Sequence, residues 1–201
     1  QCEGKESVDD VEPLIAASAS IYKSLECAVR AFEATGRPVS DWRIARARLG
    51  AALRSRKAVP WSPHAGHAMD WYYPVLAGVV RGAAARTRLA RSWRVFVRRG
   101  QPGCRCVADE PWTTAAETAE LAMALAAAGA PGLARKALLS LGRMRAPDGD
   151  AWMGWQHVEA LPWPLERPSW TAGAALIADD VVRAASPAAA VWLKTLPETT
   201  S

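Results

Sequence analysis

Arg145–Thr171, RAPDGDAWMGWQHVEALPWPLERPSWT, is the stretch on which the reading of the fold turns. It holds four of the ten tryptophans, Trp152, Trp155, Trp163 and Trp170, and four prolines, between two segments of helical pattern. A connection this long between helices is either functional or disordered. Tryptophan at this density is a poor composition for disorder, because each ring buries a large area. The sequence therefore predicts an ordered, aromatic-walled loop, and the question becomes what that loop covers.

Working outward, Ser169 is a good cap for a helix from Trp170 to about Ala184, and Ser186-Pro187 opens a short final helix. On the other side, Pro131 starts a helix that runs to about Met144. Trp112–Glu117 opens the helix before it, with Thr114 and Glu117 at capping-box spacing, and Gly129 ends that helix. Further back, Pro74 suits only a first turn, so the next helix is expected to start near Tyr73. A basic partner follows over 86–98, and then the loop GQPGCRCVADEP. At the N-terminal end, Pro13 suits a helix to about Ala34, where Thr35-Gly36-Arg37-Pro38 stops it. Ser40 caps a helix to about Arg56, and a Pro/Ser/Gly/His linker follows from 59 to 67. Residues 1–10 read as a flexible N-terminus, 11–195 as one domain, and 196–201 as a tail.

These elements pair into four helical hairpins, giving an all-α chain. The first helix of each pair is small and apolar and starts beside Tyr22, Tyr72, Trp112 or Trp170. The second helices carry Arg and Lys. An inner and an outer ring follow, with a repeat of about 40 to 60 residues. The long connections 57–72, 99–112 and 145–170 all precede an inner helix, so they emerge at one mouth. Trp93 and Trp192 fall on outer helices and read as packing.

Composition narrows the function classes. Half the residues are apolar, with alanine prominent, which favours helix and close helix packing. No apolar run approaches the roughly 20 residues that span a bilayer. The net charge of +5 is mostly arginine, at Arg43, Arg46, Arg48, Arg54 and Arg56 and again from Arg81 to Arg99. These read as solvated outer faces, or as a surface for peripheral membrane contact with anionic headgroups. No nucleic-acid module accompanies them, so nucleic acid is not an expected partner. Cys2, Cys27, Cys104 and Cys106 form no disulfide framework and suit a cytoplasmic protein with reduced thiols.

Several blocks resemble a known group. Asp148-Gly149-Asp150-Ala151-Trp152 is similar to the D-G-x-W element of squalene–hopene cyclases and protein prenyltransferase β-subunits. SIYKSL (Ser20–Leu25), MDWYYPVL (Met69–Leu76), CVADEPWTTAAET (Cys106–Thr118), DGDAWMGW (Asp148–Trp155) and WPLERPSWTAGA (Trp163–Ala174) together resemble actinobacterial prenyltransferase/squalene-oxidase-repeat proteins. The resemblance implies an α/α toroid. About four hairpins are present, incomplete relative to a closed ring, as in the C-terminal part of a longer protein. It also implies a terpenoid cyclase or prenyltransferase-like protein that holds an isoprenoid or other lipid-like small molecule in an aromatic-lined cavity. The D-x-D-D acid motif of the cyclases and the D-x-C zinc set of the transferases are both missing. Cys104, Cys106, Asp109 and His157 are the nearest approach to the latter, in the wrong order, so no metal and no cofactor are expected.

The candidate catalytic groups are Asp70, Asp109, Glu110, Glu117, Glu120 and His157. Asp70 stands before three aromatics, either as an acid in an apolar cavity or as a charge at a helix N-terminus. Asp109 and Glu110 occupy the same place in the next hairpin, where paired carboxylates would serve glycoside cleavage or proton-initiated cyclisation. Glu117 is most simply a capping residue, Glu120 faces the same way one turn later, and His157 is a proton-transfer candidate. Trp71, Tyr72, Tyr73, Trp112, Trp155, Trp163, Glu166 and Trp170 are the substrate-binding candidates. Their rings would suit carbocations or sugar faces. Glu166 and Arg167 read as an ion pair or loop anchor. A carbohydrate-active toroid with paired carboxylates, and a non-catalytic binding member, are the alternative readings.

Overall fold

The computed structural model describes residues 13–55 and 66–196; the expected flexible N-terminus, most of the 59–67 linker and the tail beyond Leu196 lie outside the described residues. α1 (Ile15–Ala34) and α2 (Ser40–Ser55) form the first hairpin. α3 (Ala68–Leu76) with α4 (Gly82–Arg91) and α5 (Trp93–Phe96) form the second, and α6 (Ala115–Ala127) with α7 (Pro131–Ser140) the third. α8 (Ser169–Arg183) turns through a 3-10 segment, Pro187–Ala189, into α9 (Ala190–Leu193). α1 packs on α3, α3 on α6 and α6 on α8, while α2, α4 and α7 lie outside this row. The result is an arc of an α/α toroid with the inner and outer helices ordered as the sequence implies. Among the described residues the arc is open-ended, for Ile21 on α1, Leu14 just before it, and Leu176 and Ile177 on α8 are exposed.

The core follows the inner row. Tyr72 and Val75 of α3, Leu121 and Leu125 of α6 and Val181 of α8 are almost fully buried, and Ala119, Ala124 and Ala178 let the helices approach closely.

Four features differ from the sequence reading. The chain is not purely helical: β1 (Cys104–Arg105), β2 (Trp112–Thr114), β3 (Gly154–Gln156) and β4 (Leu161–Pro162) form an antiparallel sheet in that order. Both long loops are thus paired to one another, which satisfies backbone groups that a packed loop would otherwise leave orphaned. Second, α3 begins at Ala68, with Pro74 in its interior. A proline there leaves the Asp70 carbonyl without its helical donor. Arg88 of α4 supplies the missing bonds, donating from its guanidinium to Asp70 O and to Trp71 O, both at 2.7 Å. Third, the basic helix starts four residues early, at Gly82, and breaks at Ser92. Fourth, the last arm is not an outer helix. α9 touches α6 and α8, and its Val191 carbonyl accepts from Lys23 of α1, so it lies on the side that the inner helices share.

That last placement depends on a buried ion cluster. Glu26 of α1 is 1% exposed and accepts from Lys23 Nζ at 3.1 Å and from Arg46 of α2 at 2.8 Å. Arg30 approaches at 3.5 Å. The same cations donate to the returning chain: Lys23 to Val191 O, Arg30 to Lys194 O and Arg46 to Leu196 O. Arg46 also lies over the Tyr22 ring, 4.6 Å from its centroid. Burial pulls the Lys23 pKa down, and the adjoining Glu26 charge opposes that shift.

Two stability predictions follow from these contacts. Glu26→Gln leaves Lys23 and Arg46 buried without their counter-charge, and a loss of about 3–5 kcal/mol is expected in urea denaturation. Gly154 sits where a Cβ would lie 2.4 Å from both Thr113 O and Trp112 Nε1. Gly154→Ala should cost about 1–3 kcal/mol and alter the tryptophan fluorescence, because β2 and β3 must part.

Candidate active site

The sheet gathers the long loops over the N-terminal ends of α3 and α6. Ala68 N–H donates to Cys106 O at 2.9 Å, and Ala115 N–H donates to Met153 O at 2.9 Å. Within the tryptophan loop, Gly149 N–H donates to Ala146 O, and Gly149 takes φ +93°, the left-handed conformation that suits glycine. Trp112 and Trp163 meet edge to face at 5.1 Å, with the Trp112 indole N–H donating to Trp163 O at 2.6 Å. Arg167 covers Trp152 at 5.0 Å and pairs with Asp148, so its ionic partner is Asp148 and not the neighbouring Glu166. Glu166 is exposed, and its carbonyl anchors Met153 N–H. Trp170 is 54% exposed at the start of α8.

The carboxylates separate clearly in this geometry. Asp70 accepts from Ala16 N–H at 2.9 Å, so it caps α1 from the first turn of α3. Asp109 and Glu110 are exposed in the turn between β1 and β2. Glu117 receives the Thr114 hydroxyl. This is not a capping box, because the Thr114 side chain caps no backbone N–H of α6. Glu120 is held most elaborately. The Tyr72 hydroxyl donates to one of its oxygens at 2.5 Å and the Tyr73 hydroxyl to the other at 2.7 Å. Burial raises the Glu120 pKa; the two tyrosine hydrogen bonds act against this, and the Glu117 charge adds to it. Burial likewise raises both tyrosines, and burial, followed by the Glu117 charge, pushes the Cys106 thiol up to about 12.

His157 contacts Thr113 Oγ1 at 3.1 Å, and burial, followed by the Arg105 charge, lowers its pKa. It lines a cleft of about 490 Å³ with Trp155 and Arg143. Trp71 belongs to the packing between α3 and its outer partners, stacked on Phe96 at 5.2 Å with its indole N–H on Arg88 O. Cys27, Cys104 and Cys106 are free thiols. Among the described residues no three His, Cys, Asp or Glu side chains are grouped to hold a metal ion.

Sequence reasoning missed one feature. A cleft of about 360 Å³ lies between α1, α3 and α9, and Tyr73, Lys23 and Trp192 share its lining. Trp192 is therefore not outer packing. The polar Lys23 and Ser24 in α1 are the one signal in the sequence for this cleft, and nothing local shows that the chain returns there.

No known family pattern matches the chain. A curated protein of Mycolicibacterium hassiacum, named MMP endo-(1,4)-3-O-methyl-alpha-D-mannosidase, is 39% identical over 181 residues, which cover 88% of this chain and 48% of the relative. The chain spans about half the length of that relative. This likeness overturns the expected kinship with prenyltransferases and squalene cyclases, and with it the transferase reading and the lipid-like substrate. The cyclase-like blocks mark toroid packing, which many chemistries share. Peripheral membrane contact through the arginines is also set aside, since Arg43 pairs with Glu33, Arg46 with Glu26, and Arg86 and Arg88 donate to backbone carbonyls. No helix among the described residues is long and apolar enough to cross a membrane. What the chain is similar to is a carbohydrate-active enzyme.

Proposed function

We propose that this chain is part of a glycoside hydrolase acting within chains of O-methylated mannose, with Glu120 as the proton donor. The observation that carries the reading is the clamp of Tyr72 and Tyr73 on Glu120 at the inner face of α6. Glycoside cleavage needs a carboxylic acid that keeps its proton near neutral pH, to protonate the departing sugar oxygen. Burial shifts Glu120 in that direction, the negative charge of Glu117 adds to the shift, and the two tyrosine hydrogen bonds act against it. Glu117 lies one turn earlier on the same helix, with about 5–6 Å expected between the Cβ atoms at that spacing. Two tyrosine hydroxyls hold the Glu120 carboxyl in one orientation, which limits the reorganisation required when the proton leaves. The name of the relative supports the substrate class, an α-linked 3-O-methylmannose chain cut internally.

The test is hydrolysis of such oligosaccharides by the whole protein. Glu120→Gln should lower kcat by about 10²–10⁴-fold, and unchanged turnover would exclude Glu120 as the acid. Tyr73→Phe removes a hydrogen bond that favours the ionised carboxylate, so Glu120 should hold its proton to higher pH. The basic limb of the pH–rate profile should therefore move upward in that variant; a downward move would contradict the clamp.

A further inference from the structure

We propose that the cleft between α1, α3 and α9 is a sugar subsite that selects a methyl ether over a free hydroxyl. It rests on the glycosidase reading for its place in the reaction, but its geometry is independent of it. Tyr73 joins the two sites: its hydroxyl donates to Glu120, and its side chain lines the cleft. At about 360 Å³ the cleft falls at the small end of the range of roughly 300–1,000 Å³ usual for small-molecule sites.

The lining has two characters. Leu76, Ala77, Val191 and Trp192 supply an apolar wall, and Ser20, Ser24 and Lys23 face it as the polar side. Lys23 uses two of its three protons on Glu26 and Val191 O, and the ion cluster holds its ammonium in place. Ser24 donates to Ser20 O at 3.0 Å, which leaves its oxygen as an acceptor. A hexose fits this division. Its apolar ring face can lie on the Trp192 indole, with hydroxyls toward the serines and Lys23. A hydroxyl turned to Leu76, Ala77 and Val191 would lose its hydrogen bonds with water and gain none, whereas an O-methyl group there is buried without loss. One methyl in an apolar pocket discriminates by roughly 10–200-fold.

Methyl 3-O-methyl-α-D-mannopyranoside and methyl α-D-mannopyranoside are the probes, titrated into the protein and followed at the Trp192 indole N–H by NMR. The methylated sugar should bind at least about tenfold more tightly. Val191→Thr keeps the side-chain shape and the Val191 carbonyl, and adds a hydroxyl to the apolar wall, so the preference should shrink several-fold. Ala77→Ser probes the same wall from α3, should Val191→Thr disturb α9. Equal affinity of the two sugars, or a preference untouched by both substitutions, overturns the subsite. If the preference responds to the substitutions while no oligosaccharide is cleaved, the subsite stands and the glycosidase reading falls. If cleavage proceeds with the preference unmoved, the reverse holds.

Discussion

One buried carboxylate ties the first hairpin to the last described segment of the chain. Glu26 gathers Lys23, Arg30 and Arg46 from the first hairpin, and those cations in turn grip three carbonyls of residues 191–196. Desolvating so many charges is costly, and hydrophobic residues of equal volume would often serve stability as well. The cluster achieves position instead. It draws the last segment across the inner helices, adding to the contacts that α9 makes with α6 and α8. The cleft beside Tyr73 exists because of that return.

The second constraint is the pair α3 and α6. Tyr72 and Tyr73 project from one helix to a single glutamate on the other, so the proton affinity of Glu120 is set by helix packing and not by a mobile loop. The sheet reinforces this arrangement, since β1, β2 and β3 tie the loops to the starts of both helices. Trp112, Trp155 and Trp163 stand on this sheet, which gives the tryptophan loop its order.

The hairpins were legible because their punctuation is local. Pro131 opens α7, Gly129 with φ +73° follows α6, and Ser186 accepts the Ala188 N–H as a cap should. The sheet was not legible, since strands of two or three residues carry no periodicity, and pairing Trp112–Thr114 with Gly154–Gln156 requires loops from different hairpins to meet. At the site, spacing singled out Glu120 and placed Tyr72 and Tyr73 at a helix start. Their mutual hydrogen bonds span 47 and 48 positions, beyond any local pattern. Asp70 shows the helix-end alternative that the sequence also offered: one of its carboxylate oxygens accepts from the Ala16 amide of α1. The cyclase-like blocks recorded an architecture correctly and a reaction wrongly, as expected when packing residues outnumber reacting ones.

Pro74 gives the second hairpin an unusual dependence. A helix with an interior carbonyl satisfied only by a neighbour's guanidinium is not self-sufficient, and α3 has that form through Arg88. α3 and α4 must therefore assemble as one cooperative unit, the shorter helix taking shape as the hairpin shuts. Tyr72 and Tyr73 ride on that helix, so the carboxyl of Glu120 has its two hydroxyl partners only where α3 and α4 are packed together.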